Sequence, residues 1–139
     1  MHTTSADQVL KSVPLFAHLS KRALRDVTGL ATTIDVEAGR TFIEEGDVGR
    51  EFFVVLAGEA EIRTGGRTVA IRGPGEFFGE MSLLLDRPRT ATVTARTHMT
   101  LDVIERKDFK RLLLDHPELY EPLLAAVAHR LAELEDAAH

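Results

Sequence analysis

"GEFFGEMSLLLDRPRTATV", residues 75–93, is the stretch on which the reading of this 139-residue chain turns. Its apolar centre carries a single carboxylate, Glu80, between a Gly and a Met. Further on comes Arg89, with Pro88 before it and Thr90 and Ala91 after it. Gly73-Pro74-Gly75 ends the preceding strand, and "FFGEMSLLLD" is too short and too apolar for a free surface helix. The pattern predicts one buried turn of helix beginning near Gly79. A helix N-terminus presents unpaired N–H groups that attract an anion. Gly79 would let the backbone come close to that anion.

Arg89 adds a planar fork of donors that matches two oxygens of one phosphate. Pro88 stiffens the approach to it, and the strand "TATVTA" follows. An ionised Glu80 only accepts hydrogen bonds and would repel an anion, so its natural partner is a nearby neutral hydroxyl such as a sugar's. An acid for a ribose and an arginine for a phosphate describe a nucleotide monophosphate. The competing reading is a buried Glu80–Arg89 ion pair that joins the turn to the strand. Such pairs are costly and often no better than apolar replacements. Residue chemistry alone leaves both readings open.

The rest of the chain sets bounds. Its length fits one domain with a real core. Apolar residues make up 44% and charged residues 28%, and the formal net charge is −5. With no basic balance or stripe, a nucleic-acid partner is not expected. The absence of cysteine excludes a disulfide framework or a thiolate metal site and suits a reducing cytoplasm. The amino terminus lacks a basic segment followed by an apolar run, so it is not a secretory signal. No apolar stretch approaches the roughly 18 residues that span a bilayer, so no membrane partner is expected.

The ends read as helix and the middle as strand. Residues 5–12 and 19–30 predict helices, the second with Ser20 as N-cap and Leu24, Val27 and Leu30 on one face. From residue 32 to 105, short runs of Val, Ile, Thr and Phe are broken by turn residues about every ten positions, which predicts a β-sandwich or barrel. Gly65-Gly66, between two alternating runs, predicts a tight hairpin. Helical period returns from residue 105, with a break before Pro117 and a last helix running to the end. There Leu124, Val127, Leu131, Leu134 and Ala138 form a seam of about two heptads. It packs either on its own β-domain or on a second copy, making a homodimer.

Residues 75–93 resemble the phosphate-binding cassette of the cyclic-nucleotide-binding domain family, F-G-E-x-[SA]-L-L…P-R-[TS]-A-x-V. The matching positions are Phe78, Gly79, Glu80, Ser82, Leu83, Leu84, Pro88, Arg89, Thr90, Ala91 and Val93. "FIEEGDVGREFFVVLAGEAEI" is similar to the family's strand, Gly-Asp turn and strand, and "VPLFAHLSKRALRDV" to its amino-terminal helices. The resemblance implies an antiparallel β jelly roll with cupin-like topology, flanked by helices. It implies one domain over residues 1–139: amino-terminal helices to 30, the roll over 31–105 with its cassette at 77–91, and carboxy-terminal helices over 106–138. By position, Arg89 would hold a cyclic phosphate and Glu80 the ribose 2′-hydroxyl. Amides near Ser82 and Thr90, with the Thr90 hydroxyl, would complete the anion shell. Phe78, Gly79, Met81 and Ala91 would line the site. The base would lie over Val69 and Ile71, under a lid from the last helix at Leu131, Leu134 or Glu135. Compact loops and short helices look bacterial and favour cyclic AMP over cyclic GMP.

The expected role is a non-enzymatic regulatory sensor whose carboxy-terminal helices move with ligand and act on a downstream protein partner. The alternative keeps the fold without the ligand and works by docking or dimerising. The chain stops at His139 without room for an output domain, so it reads as a stand-alone sensor or a fragment, and the initial Met favours the first. A metal-dependent jelly-roll enzyme is disfavoured, because none of the six His lies two positions from another. His116 reads as a helix-end residue, Arg87 as a solvated loop charge, and Phe52, Phe53, Phe77 and Phe78 as core.

Overall fold

The computed structural model describes Leu10 and residues 13–137, apart from the side chains of Leu134 and Ala137. The helix expected over residues 5–12 lies outside them except for Leu10. Helix α1 (Lys21–Leu30) starts where its cap predicts: the Ser20 hydroxyl accepts from the Ala23 N–H at 3.1 Å. Eight strands follow: β1 (Thr32–Val36), β2 (Thr41–Ile43), β3 (Glu51–Ala57), β4 (Ala60–Thr64), β5 (Arg67–Arg72), β6 (Phe77–Phe78), β7 (Thr92–Ala95) and β8 (Met99–Glu105). Helix α2 (Glu80–Leu85) interrupts them between β6 and β7. They form two four-stranded sheets, ordered β1-β8-β3-β6 and β2-β7-β4-β5, with every pairing antiparallel. This is the expected mainly β roll with flanking helices.

Strand β3 explains why "FFVVL" does not alternate. Phe52 and Val54 are buried in a cluster with Val27, Phe109 and Leu123 of the helices, while Phe53 and Val55 are buried with Ile62, Val93 and Leu101 between the sheets. A strand covered on both faces reads as a continuous apolar run. The β4–β5 hairpin turns at Gly65 and Gly66, both at positive φ (59° and 78°), as a tight two-residue turn requires.

Helix α3 (Arg106–Asp115) leads through a 3₁₀ turn (Pro117–Leu119) into α4 (Tyr120–Ala137). His116 sits at the elbow, buried, its Nε2 2.9 Å from Asp26 Oδ2 on α1. Leu119 of the turn and Leu123 of α4 are buried in one cluster with Phe52, Phe77 and Ile104 of the roll, and Val127 of α4 is buried as well. Each fully buried leucine of this kind contributes about 1.5–3 kcal/mol. The predicted seam therefore divides. Val127 faces the domain, Leu124 and Leu131 face outward, the Leu134 side chain lies outside the description, and so does Ala138. The inward stripe is rotated from the seam because it runs through Leu123 and Arg130 as well as Val127.

Candidate functional site

The cassette forms as its residues dictate. Gly79 caps α2 at φ +96°. A Cβ there would stand 2.5 Å from Arg89 Nη1 and 2.6 Å from the Glu51 main-chain oxygen, so only glycine leaves Arg89 its place. Arg89 is 6% exposed. Its Nη2 donates to the Glu51 oxygen at 2.9 Å, and the Glu51 carboxylate stands 3.7 Å away. Its main chain is pinned as well: Arg89 N–H donates to the Asp47 oxygen at 2.7 Å, and Gly46 N–H to the Arg89 oxygen at 2.8 Å. Nη1 is buried without a hydrogen-bond partner. A buried cationic donor left unpaired is expensive, which marks a place made for an anion. Burial pulls the guanidinium below its ordinary value, while Glu51, Glu80 and Asp47 oppose that shift.

Glu80 is 1% exposed. Burial pushes its carboxyl above the ordinary value, opposed most by Arg130 and then by the N–H groups of Glu80 and Met81 and by Arg89. Its direct ionic partner is Arg130 of α4, which donates to Oε1. Arg130 also lies over the Phe77 ring, 4.6 Å from its centroid. A second cross-link, of opposite polarity, joins Arg72 of β5 to both carboxylate oxygens of Glu133 on α4 at 2.5 and 2.7 Å. Helix α4 is thus fastened over the cassette at two points.

Between them lies a partly open hollow whose walls are mainly apolar, with charged side chains at its ends. Arg89, Glu80, Thr90, Gly79, Ser82, Met81, Phe78, Ala91 and Val69 all line it. Ile71 does not. It is 42% exposed and points away. The register of β4 with β5 passes from Arg63↔Thr68 to Ile62↔Ala70, so Val69 is a bulge. A bulge reverses the alternation beyond it, which turns Ile71 outward and sends Arg72 into the hollow. The expected lid residues are displaced similarly. Leu131 and Glu135 are exposed, and Arg130 and Glu133 line the site instead. Arg72, Arg130 and Glu133 escaped the sequence reading because neither bulges nor helix rotation show in residue spacing. Gly49, which the sequence reads as a turn glycine of the Gly-Asp signature, also packs on the site: a Cβ there would stand 2.4 Å from Ser82 Cβ and 3.2 Å from Arg89 Cζ. Arg87 is exposed, and no cluster of metal-ligating residues occurs among the described residues.

The Glu80–Arg89 ion pair considered from sequence does not form. Each group has another partner, Arg130 and Glu51 respectively, and both face one hollow.

Comparison with known proteins adds to this geometry. The family model described as "Cyclic nucleotide-binding domain" matches residues 33–116, more than half of the chain. The cAMP-dependent protein kinase regulatory subunit of Yarrowia lipolytica is 38% identical over 121 residues, covering 84% of this chain and 32% of its own length. The chain spans about a quarter to a third of the length of the curated relatives it matches. Among solved structures, the regulatory domain of Toxoplasma gondii PKA with cAMP superposes at TM-score 0.75 with 31% identity, covering 80% of this chain and 44% of that one. The N-terminal domain of a Streptomyces coelicolor transcriptional regulator superposes at TM-score 0.70 with 36% identity, covering 94% and 95%. This chain belongs to the cyclic nucleotide-binding domain family.

Proposed function

We propose that the chain is a cyclic-nucleotide sensor module with cyclic AMP as its ligand. The observation that carries this reading is Arg89 Nη1, a buried guanidinium nitrogen with no partner beside the start of α2. A cyclic phosphate supplies the missing acceptor, and the amides near Ser82 and Thr90 share its charge. Glu80 takes the ribose 2′-hydroxyl with the accepting capacity that Arg130 leaves it; a carboxylate offers about four lone-pair sites. The base lies on Val69, with Thr64, Arg72 and Glu133 as the polar groups around it. The role is regulatory and non-catalytic, and all of the chain serves it as one unit in the cytoplasm.

Signal leaves through α3 and α4. Arg130 and Glu133 stand in the hollow, so a nucleotide changes what holds α4 down. The equilibrium moves only by the difference in ligand affinity between the two helix placements. A second copy on the outward stripe of α4, where Tyr120, Leu124 and Leu131 are exposed, would read that movement. So would a downstream protein, such as a kinase subunit.

Parallel calorimetric titration with cyclic AMP and cyclic GMP tests the assignment. Saturable 1:1 heat with tighter binding of cyclic AMP is expected. Tighter cyclic GMP binding overturns the base preference, and no heat with either overturns the sensor reading in favour of a docking domain.

A further inference from the structure

A second, open hollow lies where β1, β8 and β3 meet the start of α3. Leu30, Ile34, Phe53 and Val103 are its apolar residues, and Glu51, Glu105 and Asp108 add three carboxylates. Glu51 and Glu105 are direct cross-strand partners in the β3–β8 register. Like charges placed opposite each other in an antiparallel pair weaken the sheet. Within the described residues this repulsion is relieved on one side only, by Arg89 beside Glu51. Glu105 and Asp108 make no ion pair there, and the cation near Glu51 is Arg89, at 3.7 Å. The three acids do not converge closely enough to hold a metal ion.

An apolar groove whose rim carries two carboxylates, Glu105 and Asp108, without an ion pair among the described residues suits a long apolar stem that ends in a cation, lying beside other apolar side chains. We propose that this groove docks a segment of a partner protein in which arginine or lysine alternates with apolar residues. The carboxylates would select and steer the cation, and the apolar residues would take the neighbouring side chains. The site lies next to the nucleotide hollow, since the main-chain oxygen of Glu51 holds Arg89. It does not depend on the nucleotide reading.

The test uses a fluorescein-labelled peptide, LRLRLRL, and anisotropy on the whole chain. The parent should bind it saturably, and E105K/D108K should weaken binding at least tenfold. E118K/E121K makes the same charge change on exposed positions of the 3₁₀ turn and α4, and should stay within twofold of the parent. Glu105→Gln separates docking from folding: it removes the cross-strand repulsion, so its melting temperature should hold or rise while peptide affinity falls severalfold. Equal weakening by the two double reversals would reduce the effect to net charge and overturn the proposal. So would equal binding of the peptide LELELEL. Self-association of the parent that E105K/D108K abolishes would assign the groove to a second copy, and would overturn it too.

Discussion

Arg130 of the last helix donates to Glu80 at the first position of the cassette helix, across 50 residues of chain. The pair is largely dry: the Glu80 side chain is 2% exposed and that of Arg130 14%. Cassette and last helix are therefore joined through the carboxylate proposed to bind the ribose, where a bound nucleotide would meet the helix.

Arg130→Ala should cost about 3–5 kcal/mol of stability, because it leaves a buried carboxylate without its cation. Adding Glu80→Gln should recover part of that loss, since the stranded charge is gone. Urea unfolding of the two single variants, the double variant and the parent closes the cycle. Strictly additive effects would show that the two groups do not interact.

Stability should depend on pH through Glu80 in a definite direction. Burial raises its carboxyl above the ordinary 4.5. The folded state thus keeps the proton to higher pH than the unfolded chain does. The stability this contributes is complete below about pH 4.5 and is lost as the pH climbs through the raised value. Glu80→Gln cannot ionise, so it should gain on the parent between pH 4.5 and 7. Urea midpoints of both proteins across that range check this, and a gap that is constant or moves the other way refutes it.

Gly79→Ala should destabilise the fold by about 1–3 kcal/mol through its left-handed backbone alone. It should also weaken nucleotide binding, because the new methyl takes the place of Arg89 Nη1. A melting curve and a titration read the two effects. A variant that keeps the parent's affinity would show that Arg89 need not hold this position.

Glu133→Ala should free the far end of the lid helix by releasing Arg72. Amide exchange of residues 126–137 should speed up in the ligand-free protein, while exchange in β3 and β8 stays slow. Unchanged exchange in α4 would mean that the Arg72–Glu133 pair does not fasten it.

Much of this was legible in the residues. Ser20 capped its helix, Gly65-Gly66 made its hairpin, and Gly79 opened α2, because each acts through local backbone chemistry. The cassette positions came together since one short segment carries most of them. Illegible were features set by packing. The bulge at Val69 exchanged Ile71 for Arg72, and the rotation of α4 placed Arg130 and Glu133, rather than Leu131 and Glu135, over the hollow. A heptad count finds apolar positions, but it does not find an arginine whose partner lies on another element.

The most direct measurement is calorimetric titration of cyclic AMP into the parent and Arg89→Ala, with folding of both confirmed by melting. Truncating a buried charged contact costs about 2–5 kcal/mol, so the variant should bind roughly one and a half to three and a half decades more weakly. A folded Arg89→Ala protein that binds within twofold of the parent would contradict the claim that this guanidinium holds the phosphate.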